Sequence, residues 1–454
     1  MNTTKKVTLN FVIILILAGG IWFRLTQYGN LRLSVAMPDT STFITSASAP
    51  FLSFEDFSSR RLFTTNLLYR LSQGEECANP EISSPYDGKE IERSIYKCFS
   101  SIVLIQNLLS VIGWSLLALT TAKWIKTPIY KIAAMAIILS FGFSPQIAEW
   151  DSVLSSEALS ISLLTLVIAL LQEIAFGVAF HKNHPEKNKT TGALIIVWTL
   201  VFLLWCFVRD VQLYAIIGTL ILTIPLLYFQ EIRQIKLIIP VLTAISLVFV
   251  LGTKTAQASD RWQPSIEHAL TYHVLPYPSR VEAMMNRGMP SPQAIEEFKA
   301  WLNTRANKDY GVFLITHPGF IVSTIFDLSG YLNSDFLQPY FTMEANKLRD
   351  KMLVVGEMFH PQTNAVYLIS LLLVFSLTYS AITLKDRSTM AWAWLASWIF
   401  VYSSVSLILS LFGDTDGTRR HIYPSVELFR LSNWLFLIVH FDLVNQKFQT
   451  SKSK

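Results

Sequence analysis

Ten long apolar segments, separated by short charged stretches and two longer polar ones, leave this 454-residue chain few ways to fold. They run over 8–24, 100–121, 129–145, 157–180, 191–208, 211–229, 237–252, 363–383, 389–411 and 424–441. A bilayer core of ~30 Å needs about 20 apolar residues per helix. Several segments meet that length, while 129–145 and 237–252 sit near its lower limit. With 52% hydrophobic and 15% charged residues and a mean hydropathy of +0.40, the composition exceeds what a soluble globular chain carries. The expected fold is an all-α integral membrane protein of about ten transmembrane helices, with two long non-cytoplasmic segments bearing interfacial helices. Three units follow: an N-terminal transmembrane module, 1–252, containing a first outer loop, 25–99; a long outer loop, 253–362; and a C-terminal transmembrane module, 363–454.

Lys and Arg in short loops mark the cytoplasmic side of a membrane protein. Lys5 and Lys6 precede the first segment. Each even-numbered crossing then returns to a basic stretch: Lys123/Lys126, Lys182/Lys187/Lys189, Arg233/Lys236, Lys385/Arg387 and Lys447/Lys452/Lys454. Both termini are expected in the cytoplasm. The first segment has the basic start and apolar middle of a signal peptide. No small-residue cleavage pattern follows it, and Trp22-Phe23-Arg24 resembles an interfacial anchor, so it is expected to be retained. The net charge of +5 largely reflects this bias and gives no reason to invoke nucleic acid.

Of three cysteines, Cys206 falls in a span, whereas Cys77 and Cys98 share the first outer loop. An oxidising compartment permits a bond between that pair, and two free thiols serve as well. No CxxC or HExxH spacing calls for a structural metal, although paired acids leave a divalent ion open.

The outer segments carry amphipathic patterns. Phe54–Ser72 places Phe and Leu among Arg60, Arg61 and Arg70, which suits an interfacial helix with arginines toward lipid phosphates. Ser291-Pro292 suits a helix start, with Ile295, Phe298, Trp301 and Leu302 on one face. His317-Pro318 opens an apolar stretch to Leu332 that is too short to cross.

Acid–base and phosphate-binding residue types gather at the outer ends of the segments. Asp39, after Pro38, sits close to the membrane surface, where a carboxylate can take a proton from an attacking hydroxyl; capping a turn is its plainer use. Glu149, Asp151 and Glu157 surround the start of the fourth segment, where an acid also suits a helix N-terminus. Three acids there exceed what capping requires. Arg209-Asp210 interrupts two apolar runs, either as a charged hairpin with its own ion pair or as a phosphate-binding arginine oriented by the aspartate. Asp414, Asp416, Arg419, Arg420 and His421 join the ninth and tenth segments and offer planar guanidinium forks and a tunable imidazole.

This combination resembles the C-type integral-membrane glycosyltransferases, multi-span enzymes that use polyprenyl-phosphate-linked sugars. Asp39-Thr40-Ser41-Thr42-Phe43 resembles their frequent Asp-Ser/Thr-x-x-Tyr pattern. Ser156-Glu157-Ala158-Leu159 resembles an element at the start of a later span, and Arg420-His421 through Pro424 resembles the Arg-His-x-x-Pro ending of bacterial members. Arg209-Asp210-Val211-Gln212, Arg261-Trp262-Gln263 and Gly288-Met289-Pro290 look like elements of an uncharacterised bacterial branch. The region after Arg60-Arg61 lacks the Arg-x-Pro pattern of relatives that modify lipid A or protein.

The resemblance implies an inverting sugar transfer, at the outer face of a bacterial inner (plasma) membrane, from a lipid-linked sugar donor to a glycan, lipid or protein acceptor. Asp39 would be the base. Glu157 would orient the donor sugar or a basic partner, and Arg209, Asp210, Arg420 and His421 would hold the donor phosphate. Glu149, Asp151, Asp414 and Arg419 are further candidates. Membrane lipids are the remaining expected partners, and no organic cofactor is implied. Two other classes carry similar features: an outer-face polysaccharide polymerase or ligase, and a transporter or flippase of lipid-linked or anionic solutes. The latter would place charges at mid-bilayer on broken helices, whereas these lie at segment ends.

Overall fold

A computed structural model describes residues 3–28, 31–72, 97–180, 188–259, 261–341, 346–413 and 417–452. Cys77, Asp414 and Asp416 lie outside the described residues. Among those described, the chain is helical, with one isolated parallel bridge between Val35 and Val153.

Helix α1 (Thr3–Thr26) leads to three short helices, α2 (Thr40–Ser46), α3 (Phe54–Ser58) and α4 (Phe63–Ser72). Then come α5 (Ser100–Trp124), α6 (Pro128–Gly142), α7 (Pro145–Ala148), a 3-10 turn at Glu149–Ser152, α8 (Ser156–Ala179) and α9 (Asn188–Cys206). The next apolar stretch is split into α10 (Asp210–Leu213), α11 (Ala215–Thr223) and a 3-10 turn at Ile224–Tyr228. Helix α12 (Gln230–Arg233) precedes α13 (Ile238–Ala258). The second polar segment forms α14 (Trp262–His273), α15 (Pro278–Met285), α16 (Ile295–Thr304), α17 (Ala306–Thr316), α18 (Pro318–Asp327), α19 (Ser329–Leu332) and α20 (Lys347–Phe359). Helices α21 (Ala365–Leu384), α22 (Arg387–Gly413) and α23 (Thr418–Lys452) close the chain.

Seven described helices are long and apolar enough to cross a membrane, and the protein is an integral membrane protein: Val7–Thr26, Ser100–Trp124, Ser156–Ala179, Asp210–Tyr228, Ile238–Ala258, Ala365–Leu384 and Arg387–Gly413. An eighth is reached if Pro128–Gly142 and Pro145–Ser152, bent by 47°, act as one. That falls short of the expected ten. Thr190–Cys206 is apolar but short. Helix α23 is long, yet Glu427, Arg430, His440 and Asp442 interrupt its apolar run. The bend between α6 and α7 has a local cause. Ser144 precedes Pro145 and is extended (ψ 156°), because the proline ring excludes helical geometry from the residue before it.

Small residues let the central helices approach. A Cβ on Gly113 of α5 would stand 2.2 Å from Thr165 Oγ1 and 2.8 Å from the Ser162 carbonyl of α8. On Gly142 of α6 it would meet the Trp114 indole at 2.1 Å. Such close backbone contact is how helices associate where no hydrophobic drive separates protein from lipid.

The two polar segments differ in helix bounds and partners from the expected pattern. Phe54–Ser72 is two helices, not one, and Arg61 and Arg70 turn toward protein carboxylates. Arg70 bonds both oxygens of the buried Asp56, at 3.0 and 3.1 Å, and the Ala47 and Ala49 carbonyls. Asn66 donates to Asp56, Ser59 and Arg61, fixing the α3–α4 turn. Further on, α16 begins at Ile295 instead of at Ser291-Pro292; Trp301 and Leu302 are buried but Ile295 is exposed. The His317-Pro318 stretch forms α18 and α19, with Pro318 in the first turn, where its missing N–H costs nothing.

Arg24, near the end of α1, is fully buried and pairs with Asp151 at 2.7 Å, also bonding Asn107 and the Ala148 carbonyl. Removing one member of a buried pair strands the other charge. Arg24→Met should therefore destabilise the detergent-solubilised protein by about 3–5 kcal/mol, while Arg24→Met with Asp151→Leu should recover most of the loss. Thermal unfolding decides between them, and a double variant no more stable than the single one contradicts the pairing.

Candidate active site

The segment between α1 and α5 is stitched to the start of α8 by hydrogen bonds. Val35 N–H donates to Ser152 O, Leu154 N–H donates to Val35 O, and the Thr40 hydroxyl donates to Leu154 O. Asp39 is thereby brought beside the N-terminus of α8, which carries Glu157. Asp39 precedes α2 but its carboxylate makes no cap bond, and Ser155 makes none for α8. The carboxylates face arginines instead.

Asp39 Oδ1 lies 2.9 Å from Arg61 Nη2, and Asp39 Oδ2 lies 2.6 Å from Arg420 Nη2. Arg420 Nε is 3.4 Å from Glu157 Oε1, which is 3.5 Å from Arg209 Nη1. Arg209 Nη2 then donates to His421 Nδ1. A guanidinium can only donate, so His421 accepts at Nδ1 and carries its proton on Nε2. The result is one continuous run, Arg61–Asp39–Arg420–Glu157–Arg209–His421, drawn from the segment between α1 and α5, α8, the α9–α10 break and the start of α23.

Each member is set by its local fold. Arg61 lies over the Phe43 ring at 4.3 Å and donates to Thr42 Oγ1 at 2.6 Å. Arg209 is extended, φ −147° and ψ 144°, because the Gln212 side chain accepts its N–H while donating to Ser160 of α8. Gly417 adopts φ +65°, the left-handed region that favours glycine, and its carbonyl receives the Arg420 N–H at 2.8 Å, starting α23.

Burial pushes the Asp39 carboxyl upward, but Arg420 and Arg61 outweigh it and hold the group below its ordinary value. Burial lowers Arg420, and Glu157 and Asp39 more than restore it. Glu157 is almost fully buried, and its Oε2 has no hydrogen-bond partner among the described residues.

The other sequence candidates stand apart. Asp210 does not orient Arg209; it takes two bonds, 2.8 and 3.0 Å, from Arg261, which also donates to the Phe57 and Ser59 carbonyls. Glu149 pairs with Arg349 and Gln338, and Asp151 with Arg24. Arg419 pairs with Asp335. These are braces between segments. Arg61 is the cluster member that sequence reading assigned elsewhere, to the lipid surface, and no spacing ties it to Asp39. Among the described residues, no group of three or more His, Cys, Asp or Glu side chains could hold a metal ion.

No known protein family matches the sequence, and no curated protein matches it. Among solved structures, the chain is similar to the archaeal oligosaccharyltransferase AglB from Archaeoglobus fulgidus, in complex with an inhibitory peptide and a dolichol-phosphate. The identity is 11% and the TM-score 0.47, over all of this chain and 52% of that one. The Archaeoglobus fulgidus oligosaccharyltransferase in the apo form gives 12% and 0.43, over all of this chain and 53% of that one. This chain thus spans about half the length of those proteins. What the site can do is therefore read from its own side chains.

The lowered Asp39 carboxyl makes a pH prediction. The unfolded chain binds the proton more readily, so the stability contributed by Asp39 is complete above the ordinary carboxylate value, about 4. It is lost as pH falls through the lowered native value. The thermal-stability difference between wild type and Asp39→Asn should be flat above about pH 4 and shrink below it. A difference that grows on acidification would contradict the ion pairs.

Proposed function

We propose that the protein transfers a sugar from a polyprenyl-phosphate-linked donor to an acceptor hydroxyl at the non-cytoplasmic face of the membrane. The single observation that carries this reading is the alternating run of three arginines and two carboxylates at one end of the helices. One guanidinium is in excess, which suits an anionic ligand. The arginines offer planar forks for phosphate oxygens, and a carboxylate within the same run can take a proton. A free hydroxyl does not attack an anomeric carbon readily without such a base, and a lipid phosphate leaves more readily when its developing charge is met by fixed cations.

In the proposed step the acceptor oxygen bonds to the anomeric carbon as the bond from that carbon to the phosphate oxygen breaks. The electron pair of the broken bond leaves with the polyprenyl phosphate. The acceptor proton passes to Asp39. In-line displacement inverts the anomeric centre. Arg420 and Arg209 meet the second negative charge that the phosphate gains, and His421, with its proton on Nε2, lies next to Arg209 to share it. Glu157 Oε2 accepts a hydroxyl of the donor sugar, satisfying an oxygen that is buried without a partner.

Between two guanidiniums, Asp39 is a weak base in the resting protein. An arriving donor phosphate competes for Arg420. As that partner shifts from carboxylate to phosphate, the proton affinity of Asp39 rises. Donor binding would thus activate the base, and Arg61 would keep the carboxylate in place.

The test is release of polyprenyl phosphate from a panel of polyprenyl-phosphate sugars by the protein in liposomes. Asp39→Asn should lower the best wild-type rate by about 10²–10⁴-fold, the range of general base catalysis, in a protein that is still folded and inserted at pH 7. Arg420→Lys should also fall strongly, since a lysine cannot bridge phosphate and Glu157 as a planar fork does. Wild-type turnover by a stable Asp39→Asn protein would overturn the base. If Asp39 is dispensable while Arg420 and His421 are essential, the polymerase or ligase reading takes its place.

A further inference from the structure

A second feature lies at the opposite end of the same helices. A cavity of about 390 Å³ is bounded by α8, α9, α11, α13 and the start of α22, with Ala175, Trp198, Leu226, Ile245 and Trp394 among its apolar walls. Ala175 follows Glu157 along α8 by about 27 Å at ~1.5 Å per residue, close to the ~30 Å of a bilayer core. The cavity therefore opens in the leaflet remote from the Asp39–Arg420 cluster. Beside it, the span that begins at Asp210 changes into the 3-10 turn Ile224–Tyr228, whose Leu226 forms part of the wall. The Trp394 indole bridges part of the opening by donating to Leu222 O.

Among the described residues, one charged side chain lines this cavity. Arg387, in the first turn of α22, donates to the Ala179 carbonyl at the end of α8. Its neighbour Asp386 is engaged at the start of α22, accepting from the Thr389 N–H and hydroxyl. Arg233 and Lys236, both exposed, flank the Ile232 and Ile238 rim, and exposed Lys385 adjoins Arg387. An apolar chamber in the bilayer with a guanidinium at its mouth and a basic rim matches a molecule with a hydrocarbon chain and an anionic head.

We propose that this cavity is a binding site for an anionic phospholipid of the leaflet opposite the candidate active site, one acyl chain occupying the chamber and the phosphate meeting Arg387. The donor lipid fits less well. Its phosphate belongs at the Arg209–Arg420 end in the reading above, and its tail could enter the chamber only as hydrocarbon, bringing no anionic group to Arg387. The site stands whether or not the protein transfers sugars.

Native mass spectrometry of the delipidated, full-length protein, titrated with phosphatidylglycerol, phosphatidylcholine of the same chains, or polyprenyl phosphate, tests this. Phosphatidylglycerol should bind about fivefold more tightly than phosphatidylcholine, the order of gain for one arginine near an anionic lipid. Arg387→Gln should bring the two within about twofold while both still bind. Ala175→Trp, which fills the chamber, should weaken both in a protein whose unfolding temperature is unchanged. Equal binding of the two phospholipids by wild type overturns the proposal, as does a preference that survives Arg387→Gln. So does polyprenyl phosphate displacing phosphatidylglycerol in wild type but not in Ala175→Trp, which would assign the chamber to the donor's tail. None of these readouts depends on sugar transfer, so failure here leaves the proposed reaction to its own test.

Discussion

The Asp39 carboxylate, shared between Arg61 and Arg420, is the interaction on which this end of the helices depends. It joins the segment between α1 and α5 to the start of α23. Through Arg420 and Glu157 it reaches α8, and through Arg209 it reaches the α9–α10 break. Charges near a low-dielectric slab persist when paired or when they face a polar cavity. Here the pairing runs through six side chains in sequence, so removing one alters the partners of its neighbours. Coupling of that kind is what a ligand phosphate would exploit, by competing for a guanidinium already in use.

Around this run sits a set of braces. Arg24–Asp151 holds α1 against the turn before α8, Glu149–Arg349 holds α20, and Asp210–Arg261 holds α14 to the α9–α10 break. Deeper, Glu427 of α23 meets both Arg430 and His360, and His360 bonds Ser144 at the α6–α7 bend. The polar groups of α23 that interrupt its apolar run are therefore tied into neighbouring elements. Cations at one end of the helices pair with protein carboxylates, and at the other end Arg387 lines an apolar chamber.

The helical membrane architecture was legible because hydropathy over a window is a local property. Spans such as Ser100–Trp124 and Ser156–Ala179 match the apolar runs within a few residues. Span number was less legible. A short helix such as Thr190–Cys206 and a polar one such as α23 differ from full spans in length and partners, which a run of letters does not contain. Asp39, Glu157, Arg209, Arg420 and His421 stood out as acids, arginines and an imidazole at segment ends, and the structure gathers them. Their partners did not stand out. Arg61 looked like a lipid-facing arginine, and Glu149 and Asp151 looked equivalent to Glu157, because an ion pair across 20 to 200 residues leaves no spacing to read. Capping was a fair alternative for Asp39 and Glu157 until the carboxylates were seen turned toward guanidiniums.

An experimental structure in a lipid nanodisc with bound polyprenyl phosphate tests the central claim most directly. The account predicts the phosphate within hydrogen-bond distance of Arg420 and Arg209, with Arg420 drawn away from Asp39 and Arg61 still on it. A phosphate bound elsewhere, with the Asp39–Arg420 pair intact, would contradict it.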